Sequence, residues 1–127
     1  MITLKAFLVS LFWLVNFQND VPYAAVERAF NAQNAVELVS LGKDKMLIAV
    51  NGKEGAYSHQ QAVMVLKDFF TKYPDGSFSY TFKGKSNADG SFLIGRYSHK
   101  SEEFRVTLHF KKLGTEFRIE RLTIEKT

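Results

Sequence analysis

The stretch Ser58-His-Gln-Gln-Ala-Val-Met-Val-Leu-Lys-Asp-Phe-Phe-Thr-Lys-Tyr73, followed by Pro74-Asp75-Gly76, carries both its own start and its own stop. Ser58 and Gln61 stand three apart as a capping box, each side chain able to satisfy a backbone N–H of the other, and Pro74 bars continuation. A helix is therefore predicted over 58–73. Ala62, Leu66, Phe69, Phe70 and Tyr73, with Val63 beside them, recur at steps that place them on one face. That face needs a large apolar partner, and the strands that follow can supply it.

After this helix, Phe78, Tyr80 and Phe82 alternate with Ser77, Ser79, Thr81 and Lys83 in a period of two. Asn87 to Gly90 reads as a turn and Phe92 to Ser98 as the next strand, with its inner face taken by either Phe92 or Leu93. Phe104, Val106, Leu108 and Phe110 alternate with Arg105, Thr107, His109 and Lys111 as the clearest strand of the chain. In the last strand Phe117 and Ile119 fall on one parity and Leu122 and Ile124 on the other. A bulge near Glu120-Arg121 would put all four on one side.

Before the helix, the apolar positions Ala25, Ala29, Phe30, Ala32, Val36 and Leu38 or Val39 fit a helix pair. Asp20 is the expected N-cap and Pro22 lies in the first turn; Asn34 caps the second helix and Gly42 ends it. Met46 to Val50 reads as a short strand that turns at Asn51-Gly52, with Gly55 to Tyr57 returning beside it. Still earlier, Lys5 precedes the apolar run Ala6 to Val15 and then polar residues to Asp20. A bilayer span takes ~20 apolar residues, so this run matches the h-region of a secretory signal instead. Residues 1–19 are expected to be a signal peptide and 20–127 a single α+β domain, although no Ala-x-Ala marks the cleavage site. A helix buried in or docked on the fold is the competing reading.

The chain has 127 residues, 46% of them hydrophobic and 14% aromatic, enough for one core without a second composition zone. The net charge of +4 comes from 17 basic and 13 acidic residues spread along the chain, so no basic arm or face points to nucleic acid. Cysteine is absent. Disulfides, cysteine-based zinc sites and thiol nucleophiles are thereby excluded, and so is a lipid-carrying cysteine at the end of a signal.

Helices first, an early strand, a long helix and then a curled meander is the order of the nuclear-transport-factor-two-like (cystatin-like) α+β roll, in which helices pack on a curved antiparallel sheet. Tyr57-Ser58, Gln61-Ala62, Leu66-Lys67-Asp68-Phe69-Phe70, Gly84-Lys85-Ser86, Asp89-Gly90, Ile94-Gly95, Phe104-Arg105-Val106 and Leu122-Thr123-Ile124-Glu125 carry a second likeness. On these blocks the chain resembles a family of small exported Bacteroidota proteins of that fold, without an assigned activity. The resemblance implies fold and export and adds no chemistry.

Relatives on this fold that act as isomerases or dehydratases use an Asp, Glu, His or Tyr projecting into a cavity. Here the polar positions expected to face inward are Tyr80 and Tyr97, and a buried tyrosine is more often a core residue with its hydroxyl tied to backbone. His59, His99 and His109 share no metal-binding spacing. Asp68 lies off the apolar stripe, four residues before Lys72, as an ordinary helix ion pair. Arg105, His109, Lys111 and Arg118 read as a solvated outer face interleaved with Glu103, Glu116 and Glu120.

The sequence thus points to an exported, periplasmic or extracellular, non-catalytic binding or interaction module. Its concave sheet face is expected to be lined by Phe30, Tyr80, Phe82, Tyr97 and Phe104 and to take a small apolar ligand or a protein partner. A homodimer through an exposed sheet surface is also open; no cofactor, metal, nucleic acid or stable membrane anchor is expected. The alternative is a small enzyme of isomerase or dehydratase type using Tyr80 or Tyr97 with a histidine in the same cavity.

Overall fold

A computed structural model describes residues 20–127; the expected signal segment lies outside the described residues. In chain order the elements are α1 (Tyr23–Asn31), α2 (Ala35–Ser40), β1 (Gly42–Val50), β2 (Lys53–Ser58), α3 (His59–Lys72), β3 (Ser77–Lys83), β4 (Gly90–His99), β5 (Glu102–Leu113) and β6 (Glu116–Lys126). The capping box opens α3 as its residues predict. Ser58 Oγ accepts from the Gln61 N–H at 3.3 Å and Gln61 Oε1 accepts from the Ser58 N–H at 3.1 Å. Asn34 caps α2, its Oδ1 accepting from the Glu37 N–H at 3.0 Å. Asp20 does not cap α1. Pro22 holds the N-cap position without a side-chain cap, and the Tyr23 N–H goes to the Val21 carbonyl at 2.8 Å in a tight turn that starts the helix two residues beyond Asp20.

The strands form one sheet in the order β2-β1-β6-β5-β4-β3, antiparallel throughout except for the parallel β1–β6 pair. Asn51 and Gly52, with φ of 48° and 89°, make the two-residue turn between β1 and β2. In β6 the pairing runs Phe110↔Ile119 and then His109↔Arg121, which leaves Glu120 as the bulged residue. Phe117, Ile119, Leu122 and Ile124 are consequently all buried on the same side.

A second bulge was not visible in the alternation. Tyr80 pairs with Gly95 and Phe82 with Ile94, so Thr81 is the extra residue. Phe78 and Tyr80 face inward as their parity implies, but Phe82 is carried to the outer face, where it is 50% exposed. In β4 it is Leu93 that takes the inner position, and Phe92 faces outward. Val36 is likewise exposed, because α2 turns only its Ala35, Leu38 and Val39 side to the core, and Ala32, at the C-cap of α1, is exposed as well.

The helices cover the inner face of the sheet with a contiguous core. Phe30 of α1 stacks on Phe78 at 4.6 Å between ring centroids and meets Phe70 edge to face at 6.0 Å. Phe69 meets Phe104 edge to face at 5.1 Å. Asn31 of α1 also reaches the β3 edge, accepting from the Phe78 N–H at 2.8 Å and donating to its carbonyl at 3.4 Å, which occupies backbone groups that an edge strand would otherwise expose.

Replacing Ser58 by Ala removes the reciprocal cap and should cost about 1 kcal/mol, read as a lower urea midpoint at unchanged slope. Phe69→Ala opens a cavity at the centre of the ring cluster and should cost about 3–5 kcal/mol in the same measurement.

Candidate functional site

The concave side, where a cavity was expected, is filled. Phe30, Tyr97 and Phe104 are fully buried, with side chains that pack on one another and on Phe69 and Phe70. Phe82 leaves the inner face altogether. Of the five expected lining residues only Tyr80 stays on the inner side and half-buried, at the β3 edge beside α1.

Both tyrosine hydroxyls are committed to structure. Tyr80 donates to the Tyr23 carbonyl and Tyr97 to the Tyr73 carbonyl, each at 2.6 Å. Burial raises the pKa of both phenols, and at Tyr80 the nearby Glu27 and Tyr23 add to it. These phenols stay protonated and act as donors. Lys83 Nζ sits 4.9 Å from the Tyr23 ring centroid and 5.1 Å from that of Tyr80, closing off this corner. The Tyr97 ring lies against Gly76, where a Cβ would come within 2.3 Å of its Cζ.

The histidines do not converge with these groups. A ring nitrogen of His59 meets the Lys43 carbonyl at 2.8 Å, His99 Nδ1 bonds the Pro74 carbonyl, and His109 stacks on Phe92 at the outer face. Tyr97 and His99 hold consecutive carbonyls at the end of α3, yet Tyr97 is fully buried and shares no open space with His99. Among the described residues no cluster of three or more His, Asp or Glu could hold a metal, and no helix is long and apolar enough to cross a membrane.

An open apolar site lies where α3 and the β1–β2 hairpin diverge. The two meet directly at Ser58–His59, and away from that junction a groove of about 480 Å³ opens between them. Val50 and Tyr57 of the hairpin form one wall, and Met64, Val65, Phe69 and Tyr73 of the helix the other, with Asn51, Lys53, Asp68 and Lys72 at the rim. Met64 is 69% exposed there. Asp68 and Lys72 pair at 3.2 Å, as their spacing predicts. Sequence reasoning missed this site because Met64 and Val65 lie off the core stripe of α3, while Phe69 and Tyr73 read wholly as core. The available signals were Met64, an apolar residue on the polar side of the helix, and Tyr57 two residues after Gly55.

The outer face of the sheet carries a second apolar feature. Phe82, Phe92 and His109, on three neighbouring strands, form a ladder with centroid separations of 5.3 and 5.9 Å. The arginines of this face are paired, Arg105 with Glu125 at 2.9 Å, Arg96 with Glu103 at 3.6 Å and Arg121 with Glu54 at 3.5 Å. That is the solvated arrangement expected from the interleaved charges.

Comparison with known proteins places this geometry. No curated protein sequence matches the chain. A DUF4783 family protein from Bacteroides ovatus ATCC 8483 is similar in structure with a TM-score of 0.78 and 28% identity, over 86% of this chain and 97% of its own. Its counterpart from Bacteroides uniformis ATCC 8492 gives a TM-score of 0.77 and 29% identity, over 85% of this chain and 98% of its own. A domain of unknown function with a cystatin-like fold from Nostoc punctiforme PCC 73102 shares the fold alone, with a TM-score of 0.64 and 11% identity over 83% of this chain and 72% of its own. The fold is the nuclear-transport-factor-two-like (cystatin-like) α+β roll, and since the model of the domain of unknown function DUF4783 matches residues 23–125, the chain belongs to that family.

Proposed function

We propose that the chain is an exported, non-catalytic binding module that takes an apolar ligand in the groove between α3 and the β1–β2 hairpin. The observation that carries this reading is the contrast between the two apolar spaces. The interior is closed by aromatic rings, and its phenols are tied to carbonyls. The groove, by contrast, keeps Val50, Tyr57, Val65 and Tyr73 only partly buried, within the ~300–1,000 Å³ range of ligand sites. Export rests on the Lys5 and Ala6–Val15 pattern. An isomerase or dehydratase would need a Tyr–His pair converging on open space, and the candidate hydroxyls are occupied.

A specific observation favours a second reading, self-association through the outer sheet face. One register row runs Ala49, Thr123, Thr107, Ile94, Phe82 across five strands, bulky at the β3 end and small at the β1 end. A two-fold axis along the strands would lay the Phe82–Phe92 end of one copy over the Ala49 and Ala56 end of the other and bring Glu125 opposite Arg105.

The neutral fluorophore N-phenyl-1-naphthylamine should brighten on adding the 20–127 domain, and Met64→Glu should weaken that binding about ten-fold while leaving thermal unfolding unchanged, since the side chain is exposed. Absence of any fluorescence change with the unmodified domain overturns the groove reading. For the second reading, analytical ultracentrifugation should give a dimer that Phe82→Ser with Phe92→Ser converts to monomer; an unmodified domain that stays monomeric at millimolar concentration overturns it.

A further inference from the structure

The groove is not uniformly apolar, and its polar end has a defined chemistry. Lys53, Gly55 and Tyr57 alternate on the same face of β2. A Cβ on Gly55 would stand 2.5 Å from both Cζ and the hydroxyl oxygen of Tyr57, so the ring folds back across Gly55 with its hydroxyl end directed toward Lys53. Only glycine leaves room for that. The hydroxyls of Tyr80 and Tyr97 donate to carbonyls, but that of Tyr57 has no protein partner among the described residues. Lys53 is exposed and, among the described residues, in no ion pair, whereas Lys72 is held by Asp68. Two lysines against one aspartate leave the rim with a single net positive charge, at the end where the free phenol points.

We infer that the groove is specific for a linear apolar chain ending in one anionic head, a fatty-acid-type monocarboxylate, with the head read by the Tyr57 hydroxyl and the Lys53 ammonium and the chain lying along Val65 and Phe69. This rests on the groove being a ligand site. A carboxylate accepts a hydrogen bond from the phenol and a charge-assisted one from the ammonium, and either donor is satisfied without moving a residue of the core. A neutral head of the same length offers the ammonium no countercharge. A dianion would exceed the single charge available.

Titration calorimetry of the protein with decanoate and with decanol, both below the concentrations at which they aggregate, tests this. Decanoate should bind about ten-fold tighter, the order of one charge-assisted hydrogen bond, and added salt should narrow the difference. Tyr57→Phe and Lys53→Met should each bring decanoate toward the affinity of decanol and leave decanol unchanged. Equal binding of the two by the unmodified protein overturns the head-group assignment and leaves the groove reading standing. If neither binds, both fall. Binding of an extended apolar peptide that competes with decanol and is unaffected by Tyr57→Phe and Lys53→Met, with no preference for decanoate, also overturns the assignment.

Discussion

The contact on which the rest of the structure depends is the packing of the Phe69–Phe70 face of α3 against the inner face of the meander. Large rings bury about 150–250 Å² each, so at ~25 cal/mol per Å² each ring of this cluster contributes roughly 4–6 kcal/mol of apolar burial. The rings meet edge to face or stacked and pack closely over the curved inner surface. Tyr97 can join them because its hydroxyl reaches the Tyr73 carbonyl at the helix end, and because Gly76 presents no Cβ to its ring. A buried phenol without such a partner would lose about 1–3 kcal/mol of what its ring contributes.

Closing the interior in this way leaves the open apolar surface at the periphery. The helix leaves β2 directly at the capping box, lies against the core along one stripe, and parts from the hairpin farther on. Residues there are held at their backbones by packed elements but keep their outer atoms free, which is how a rigid scaffold presents a site. The same logic separates the tyrosines. Tyr80 and Tyr97, which face the core, are tied to carbonyls, and Tyr57, which faces the groove, has no such tie among the described residues.

Much of the fold was legible because its signals are local. A capping box needs four residues, the Asn51-Gly52 turn needs two, and the parity change between Ile119 and Leu122 betrays a bulge that the pairing places at Glu120. The Thr81 bulge left no such trace. It reverses the side of a single aromatic near the end of an edge strand, and Phe82 keeps the alternation of Phe78 and Tyr80 in sequence while losing it in space. The expected cavity failed for a related reason. Counting inward-facing residues says which side chains share a space, but not whether they fill it.

The sequence by itself determined the elements, their order, most of the faces they bury and the family to which the chain belongs, because helix and strand periods, caps and turns are properties of neighbours along the chain. The tertiary structure alone decided that the aromatic interior is closed, that Phe82 and Phe92 stand together outside, and that Lys53, Gly55 and Tyr57 look across a groove at Met64 and Val65. Those outcomes depend on the distance and angle between elements. Such distances are set by how rings of given volume pack between helix and sheet, and no residue pattern encodes that volume balance locally.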